Sequence, residues 1–217
     1  MFIQSGFDYI RKLIREYADK AADEMSQQSG APNPSVLPLH AMPTGLLEYF
    51  EVLRENAFEN LALLTPQEGQ VGVVTHNLLY ANHFMFLSEK HENLKKDEHA
   101  AVFFDFQASM YSLPTTDLSF FLIRNCEESM LTTGIEQVLQ YYHEELRAAM
   151  GAMGVPLENY TLDQIRTEYR EKAYLTILYI IALGGLMDVE SSPDDVKRRL
   201  YNKLVIMYDN GLLKCVV

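Results

Sequence analysis

Apolar residues near the start of the chain follow a helical rhythm. Tyr9, Ile10, Leu13, Ile14, Tyr17, Ala18, Ala21, Ala22 and Met25 recur at alternating steps of one and three, while Arg11, Lys12, Arg15, Glu16, Asp19 and Lys20 fall on the opposite face. This pattern predicts an amphipathic helix ending near Ser26. The rhythm stops from Gln27 to Pro43, where four of the eight prolines (Pro32, Pro34, Pro38 and Pro43) fall. At that density no long regular element forms, and the stretch reads as a linker or an ordered loop. A second amphipathic helix is predicted from about Thr44 to Leu64, followed by a turn over Pro66 to Gln70. The pattern then shortens to three candidate strands, Val71–Thr75, Phe84–Leu87 and Ala100–Phe104. The charged stretch Glu89 to His99 reads as the hairpin connection between the last two, with Lys95-Lys96 as solvated surface.

Beyond Pro114 the chain reads as helix. Thr116-Asp117 is placed to cap a helix starting at Leu118, and Gly134 to Gly151 carries an apolar stripe. Thr161-Leu162-Asp163-Gln164 has capping-box spacing, and Ser192-Pro193-Asp194-Asp195 opens a last helix that Asn210-Gly211 ends. The most hydrophobic segment, Ala173 to Met187, contains Gly184-Gly185 and spans 15 residues. A membrane span needs about 20, so a buried core helix is expected. The fold class is therefore α+β, mostly helical, with a small β-hairpin region. The expected organisation is an N-terminal amphipathic helix (1–26), a Pro-rich linker (27–43) and one larger unit (44–217).

Composition narrows the function classes. A chain of 217 residues that is 48% hydrophobic can bury a core of its own. Its net charge is −12 and no Lys/Arg-rich stripe occurs, which argues against nucleic acid or anionic membrane as a partner. Cys126 and Cys215 form no motif, and Met1 to Phe7 is too short and too polar for a signal peptide; a cytoplasmic location is expected.

The candidate chemistry lies in the strand region. Phe103-Phe104-Asp105-Phe106-Gln107 delivers a carboxylate to a strand end, where a hard cation bridging phosphates would want it. Asp117-Leu118 follows twelve residues later, and upstream Val73-Val74-Thr75-His76 leads through a loop to Asn82, His83 and Phe84-Met85-Phe86-Leu87. Together these resemble the catalytic half of the CHK kinase-like, or ecdysteroid-kinase-like, family, which is related to choline and aminoglycoside phosphotransferases. The resemblance implies a protein-kinase-like C-terminal lobe, with Mg-ATP as the cofactor if the family activity survives.

In that family the loop reads His-Gly-Asp-x-Trp-x-Asn-Asn, where the aspartate orients the acceptor hydroxyl and takes its proton. Laid down without a gap, His76-Asn77-Leu78-Leu79-Tyr80-Ala81-Asn82-His83 keeps His76 and Asn82 and replaces the tryptophan by Tyr80. The catalytic aspartate becomes Leu78, and the metal-binding asparagine becomes His83. A register shifted by one places Asn77 on the aspartate and Asn82 on the metal position, but loses His76. Neither register supplies a base at neutral pH, a loss that typically costs about 100- to 10,000-fold in rate. The family role implied for Asp105 is metal coordination; the plain alternative is a strand-end acid with local hydrogen bonds. Asp117 matches the family's structural aspartate, and His76 is expected to order the loop. His83 with Asp105 would suit a transition metal better than magnesium, although no third ligand is apparent. Tyr141-Tyr142-His143 reads as packing.

A kinase N-terminal lobe needs a phosphate-covering loop and a strand lysine. The glycines before the loop form no Gly-x-Gly-x-x-Gly cluster, and the lysines there, Lys12 and Lys20, lie on the charged face of the first helix. The resemblance thus covers the C-terminal lobe, roughly Thr44 to Gly211, without an ATP-cradling lobe. The expected function is that of a catalytically impaired pseudokinase that binds a protein partner or a small apolar ligand. A remnant acceptor pocket lined by Tyr80, Phe84, Phe106 and Tyr111 is one candidate site, and a homo-oligomer formed through the surface an N-lobe would cover is another possible assembly. The alternative is an ATP-dependent phosphotransferase acting on a steroid-like or choline-like hydroxyl.

Overall fold

A computed structural model describes residues 2–27, 36–86, 101–155, 157–158, 160–182 and 191–213. The expectations for Pro32, Pro34, Leu87, the Glu89–His99 connection, Gly184-Gly185 and Cys215 lie outside the described residues.

Helix α1 (Phe2–Ser26) forms as its rhythm predicts, and it buries Phe7, Ile10, Leu13, Ile14, Tyr17 and Ala21. It packs against α2 (Leu46–Glu55), α6 (Leu162–Ala182) and α7 (Asp194–Asp209), so its apolar stripe belongs to the same core as the rest of the chain. The helix expected from Thr44 to Leu64 is two helices, α2 and α3 (Ala57–Ala62). The break falls at Asn56, whose side-chain amide donates to the Val52 carbonyl (2.9 Å) and whose backbone leaves the helical region (φ −108°). Asparagine competes for backbone groups in this way and so favours helix ends.

The helical core is built around α6. Its first half buries Ile165 and Tyr169 on one face, its second half is buried nearly all round through Ala173, Tyr174, Leu175, Ile177, Leu178 and Ile181, and it packs on α1, α3, α4 (Thr115–Asn125) and α5 (Ile135–Ala152). Among the described residues no helix is long and apolar enough to cross a membrane. The capping box forms: the Thr161 N–H donates to Gln164 Oε1 (2.6 Å) and the Gln164 N–H to Thr161 Oγ1 (3.3 Å). The start of α7 differs from expectation. Pro193 occupies the position before the first turn, and the Asp194 carboxylate accepts from Tyr17 Oη (2.7 Å), Lys20 Nζ (3.0 Å) and Arg198 Nε (2.6 Å), tying α7 to α1. At its far end Gly211 (φ 68°) turns the chain, and the Leu212 N–H reaches back to the Met207 carbonyl (2.8 Å). The described part of the proline-rich stretch is an ordered loop held on α7. Asn202 donates to the Pro38 carbonyl (2.8 Å) and accepts from the His40 N–H (3.0 Å).

Two small antiparallel ladders sit beside this core. The predicted hairpin is present, with β2 (Phe84–Phe86) pairing β3 (Ala101–Phe103) so that Phe84 faces Phe103. The first strand, β1 (Val73–Thr75), pairs with β4 (Met110–Ser112), in register from Val73–Ser112 to Thr75–Met110. Strand β4 was not expected from the sequence. At three residues it is too short to show an alternation.

Candidate functional site

The loop between β1 and β2 is held by α4 at both ends. Helix α4 begins at Thr115, so Asp117 lies inside its first turn and is not a cap for a helix starting at Leu118. Its carboxylate points at the loop. Asp117 Oδ2 accepts from the His76 N–H (2.6 Å) and Oδ1 from the Asn77 N–H (2.7 Å). Burial raises the Asp117 carboxyl above its ordinary range, and the two N–H donors pull it partly back. Eight residues further along α4, Asn125 Nδ2 donates to the Leu79 carbonyl (2.6 Å), and its Oδ1 accepts from the Ala81 N–H (2.9 Å). Sequence reasoning missed Asn125. Its only signal was a polar residue just over two helical turns from Asp117.

The first turn of α4 has its own partly buried acceptor. Glu168 on α6 takes both the N–H (3.0 Å) and the hydroxyl (2.8 Å) of Thr115, and Tyr160 Oη donates to its other oxygen (3.1 Å). Burial pushes the Glu168 carboxyl up. A carboxylate is favoured at the positive end of a helix dipole, so this contact fixes the helix that fixes the loop.

Within the loop, His76 is buried and both ring nitrogens are occupied. Nδ1 accepts from the Leu78 N–H (3.3 Å), so Nε2–H donates to the Phe104 carbonyl (2.8 Å). A ring used in this way is a brace and has no nitrogen left to act as a base. Asn77 is almost fully buried at 1% exposure and sits in the left-handed region (φ 64°). Its Nδ2 donates to the Ala108 carbonyl (3.1 Å), and its Oδ1 has no hydrogen-bond partner. His76 and Asn77 therefore grip the chain at Phe104 and Ala108, on either side of Asp105.

Asp105 is also left-handed (φ 67°), and its carboxylate is partly exposed, with Gln107 Nε2 at 3.4 Å. His83 comes from the short 3₁₀ turn Ala81–His83. Its Nδ1–H donates to the Leu78 carbonyl (2.7 Å), and its Nε2 faces Asp105 Oδ2 at 3.6 Å. This is the orientation a ligating histidine adopts, with its second nitrogen bonded to a backbone carbonyl. As a magnesium site the donor set fits poorly, because that ion wants oxygen ligands and the pair offers one carboxylate and an imidazole. Among the described residues no group of three His, Cys, Asp or Glu side chains converges on a metal position. Asn82 is exposed on the same turn. Leu78, at the position the gapless register assigns to the base, packs against the hydrophobic core.

The four aromatic residues singled out for a pocket take different places. The Tyr80 ring packs edge-on against Phe120 at 5.2 Å, and Phe84 packs with Phe86, Phe103 and Phe121. Phe106 lies over His76 at 4.8 Å and is largely exposed, as is Tyr111 on β4. His143 Nε2–H donates to the Tyr160 carbonyl (2.9 Å), and Tyr142 is partly buried, its hydroxyl raised to about 12 chiefly by desolvation. Compared with known proteins, residues 3–155 match the model of the ecdysteroid kinase-like family. The match starts within α1, which lies outside the span the sequence resemblance covered, and stops before α6. No curated protein and no solved structure matches the chain.

Proposed function

The chain belongs to the ecdysteroid kinase-like family, and from that premise we propose that this member has lost phosphoryl transfer and acts by binding. One observation carries the reading. The loop is braced by Asp117, His76 and Asn125, yet at the position of the family's base it offers Leu78, an aliphatic side chain packed on the core. The gapless register is supported by Asn77, whose left-handed backbone is the conformation the glycine of His-Gly-Asp adopts without strain. Its Nδ2 is held on the Ala108 carbonyl and the residue is almost fully buried, so its Oδ1 is not open to an acceptor hydroxyl, and this argues against the shifted register. The nearest carboxylates do not replace the base. Asp117 is committed to two backbone N–H groups, and Asp105 belongs to the position of a metal ligand.

A binding role draws support from the surface beside the loop. Val74, Met85, Phe86, Phe103, Phe106 and Tyr111 are all exposed on the strands and the turn between them. Large apolar side chains exposed in number are what an interaction surface uses, and this supports the reading. The partner implied is an apolar protein surface, a second copy of the chain included, or a small apolar ligand. The alternative reading, an ATP-dependent phosphotransferase, is favoured by the survival of Asp105 at its strand end.

Thermal unfolding of the purified protein with ATP and Mg²⁺ or Mn²⁺ distinguishes the two. A ligand at one hundred times its dissociation constant stabilises by about 2.7 kcal/mol, which is a visible shift for a chain of this size. The binding role predicts no shift. A clear shift that disappears in Asp105→Ala would overturn it.

A further inference from the structure

At the C-terminal end of α4, a cavity of about 230 Å³ opens between α1, α4, α6 and α7. Its walls are mostly aliphatic, with Ile10, Ile123, Ile177, Ile180 and Leu200 among them, and Lys203 lines it too. Lys203 is 5% exposed, and its Nζ donates to the Ile123 carbonyl (2.8 Å) in the last turn of α4. That contact caps a helix C-terminus and uses one of three ammonium hydrogens. No carboxylate completes the site among the described residues. Glu127 is held by Arg199 (2.5 Å), and Glu128 accepts from Asn202 (3.1 Å) and faces His40 (3.4 Å). Cys126, also on the wall, stays a neutral thiol because burial raises it. A buried ammonium with one neutral acceptor is costly, and an anion seated beside it would offset that cost.

We propose that this cavity binds a small monocarboxylate with a compact apolar body, its carboxylate on Lys203 and its body against the isoleucines. Volume sets the class of ligand. An apolar cavity of about 150 Å³ accommodates benzene, so the larger space here takes a ring or a short branched chain together with one carboxylate. It falls below the roughly 300 Å³ at which drug-sized ligand pockets begin. Asp195 lies exposed among the lining residues, together with the exposed Arg199 and the partly buried Arg124, so the charged groups of the lining are net positive and suit an anion.

Benzoate is the probe, with benzyl alcohol as its neutral counterpart, each titrated at millimolar concentration against the full chain. Thermal unfolding and ligand-observed NMR provide the readouts. Benzoate should raise the unfolding temperature by a few degrees and show saturation transfer, and benzyl alcohol should do neither. Lys203→Met keeps the length of the side chain and removes the charge, so it should fold at least as well and lose the benzoate response. Ile180→Phe fills the cavity, leaves the lysine in place and should lose the response as well, which decides the matter if the first variant does not fold. Absence of a benzoate effect on the wild type, an equal effect of the alcohol, or an undiminished response in either folded variant would overturn the proposal.

Discussion

At φ 64° the Asn77 backbone is held where a β-carbon is crowded, and its side chain recovers only one hydrogen bond. Asn77→Gly should therefore fold about as stably as the parent. Asn77→Ala should be less stable than the glycine variant by about 1 kcal/mol, measured as a difference in urea midpoint at constant slope. Asp117 presents the opposite case, since one carboxylate serves two buried N–H groups. In Asp117→Asn an amide NH₂ would face one of those donors, leaving it unsatisfied at a cost of about 1–3 kcal/mol. A stability change below half a kilocalorie in the same urea experiment would remove the bracing role. Asp117 and His76 were legible in the sequence because each lies in a spaced motif whose chemistry needs that residue type. Asn125, Glu168 and Lys203 were not. Their partners lie 46, 53 and 80 residues away, and local periodicity carries no trace of such pairings.

Helix α1 was readable to its last turn, because a one-sided apolar stripe has one period and one solution. Where it docks was not readable, since an amphipathic face names no partner. Its burial against α2, α6 and α7 makes Ile14, fully buried, a structural residue. Ile14→Ala should lose about 2–4 kcal/mol by chemical denaturation, whereas a loss near zero would mean that α1 is not packed in the core. The α1–α7 contact also predicts a pH dependence. Tyr17, Arg198 and Lys20 hold the Asp194 carboxyl well below its ordinary value of 3.8. A depressed acid stabilises the fold above its unfolded-state value, and the contribution disappears as pH falls toward the folded-state value. Asp194→Asn should thus be less stable than wild type at neutral pH, by about 1 kcal/mol once exposure to solvent is allowed for. The gap should close progressively below pH 3.8; a gap that stays constant into acid would contradict the linkage. The short elements were the least legible. Strand β4 offers only three residues, and the break at Asn56 depends on one side chain competing for a backbone carbonyl.

At the scale of the whole molecule, the loop between β1 and β2 is firmly braced, and the proposed reading places Leu78 where the family's base would stand. The brace through α4, the grip on either side of Asp105 and the orientation of His83 are all built from hydrogen bonds that do not require a base at position 78. The proposed binding role assigns the exposed apolar side chains of the strands as its surface. A hydrophobic dye should bind the native protein there, and Phe86→Ser with Phe106→Ser should lower its fluorescence without changing the helical circular dichroism. The most direct test of the whole account is ATP turnover by the purified chain with Mg²⁺ and a panel of hydroxylated small molecules, choline and sterols among them. The account predicts release of phosphate and transfer to acceptor at the rate of buffer alone. Turnover above that rate, abolished by Asp105→Ala, would contradict it and show that a group other than the residue at position 78 serves as the base.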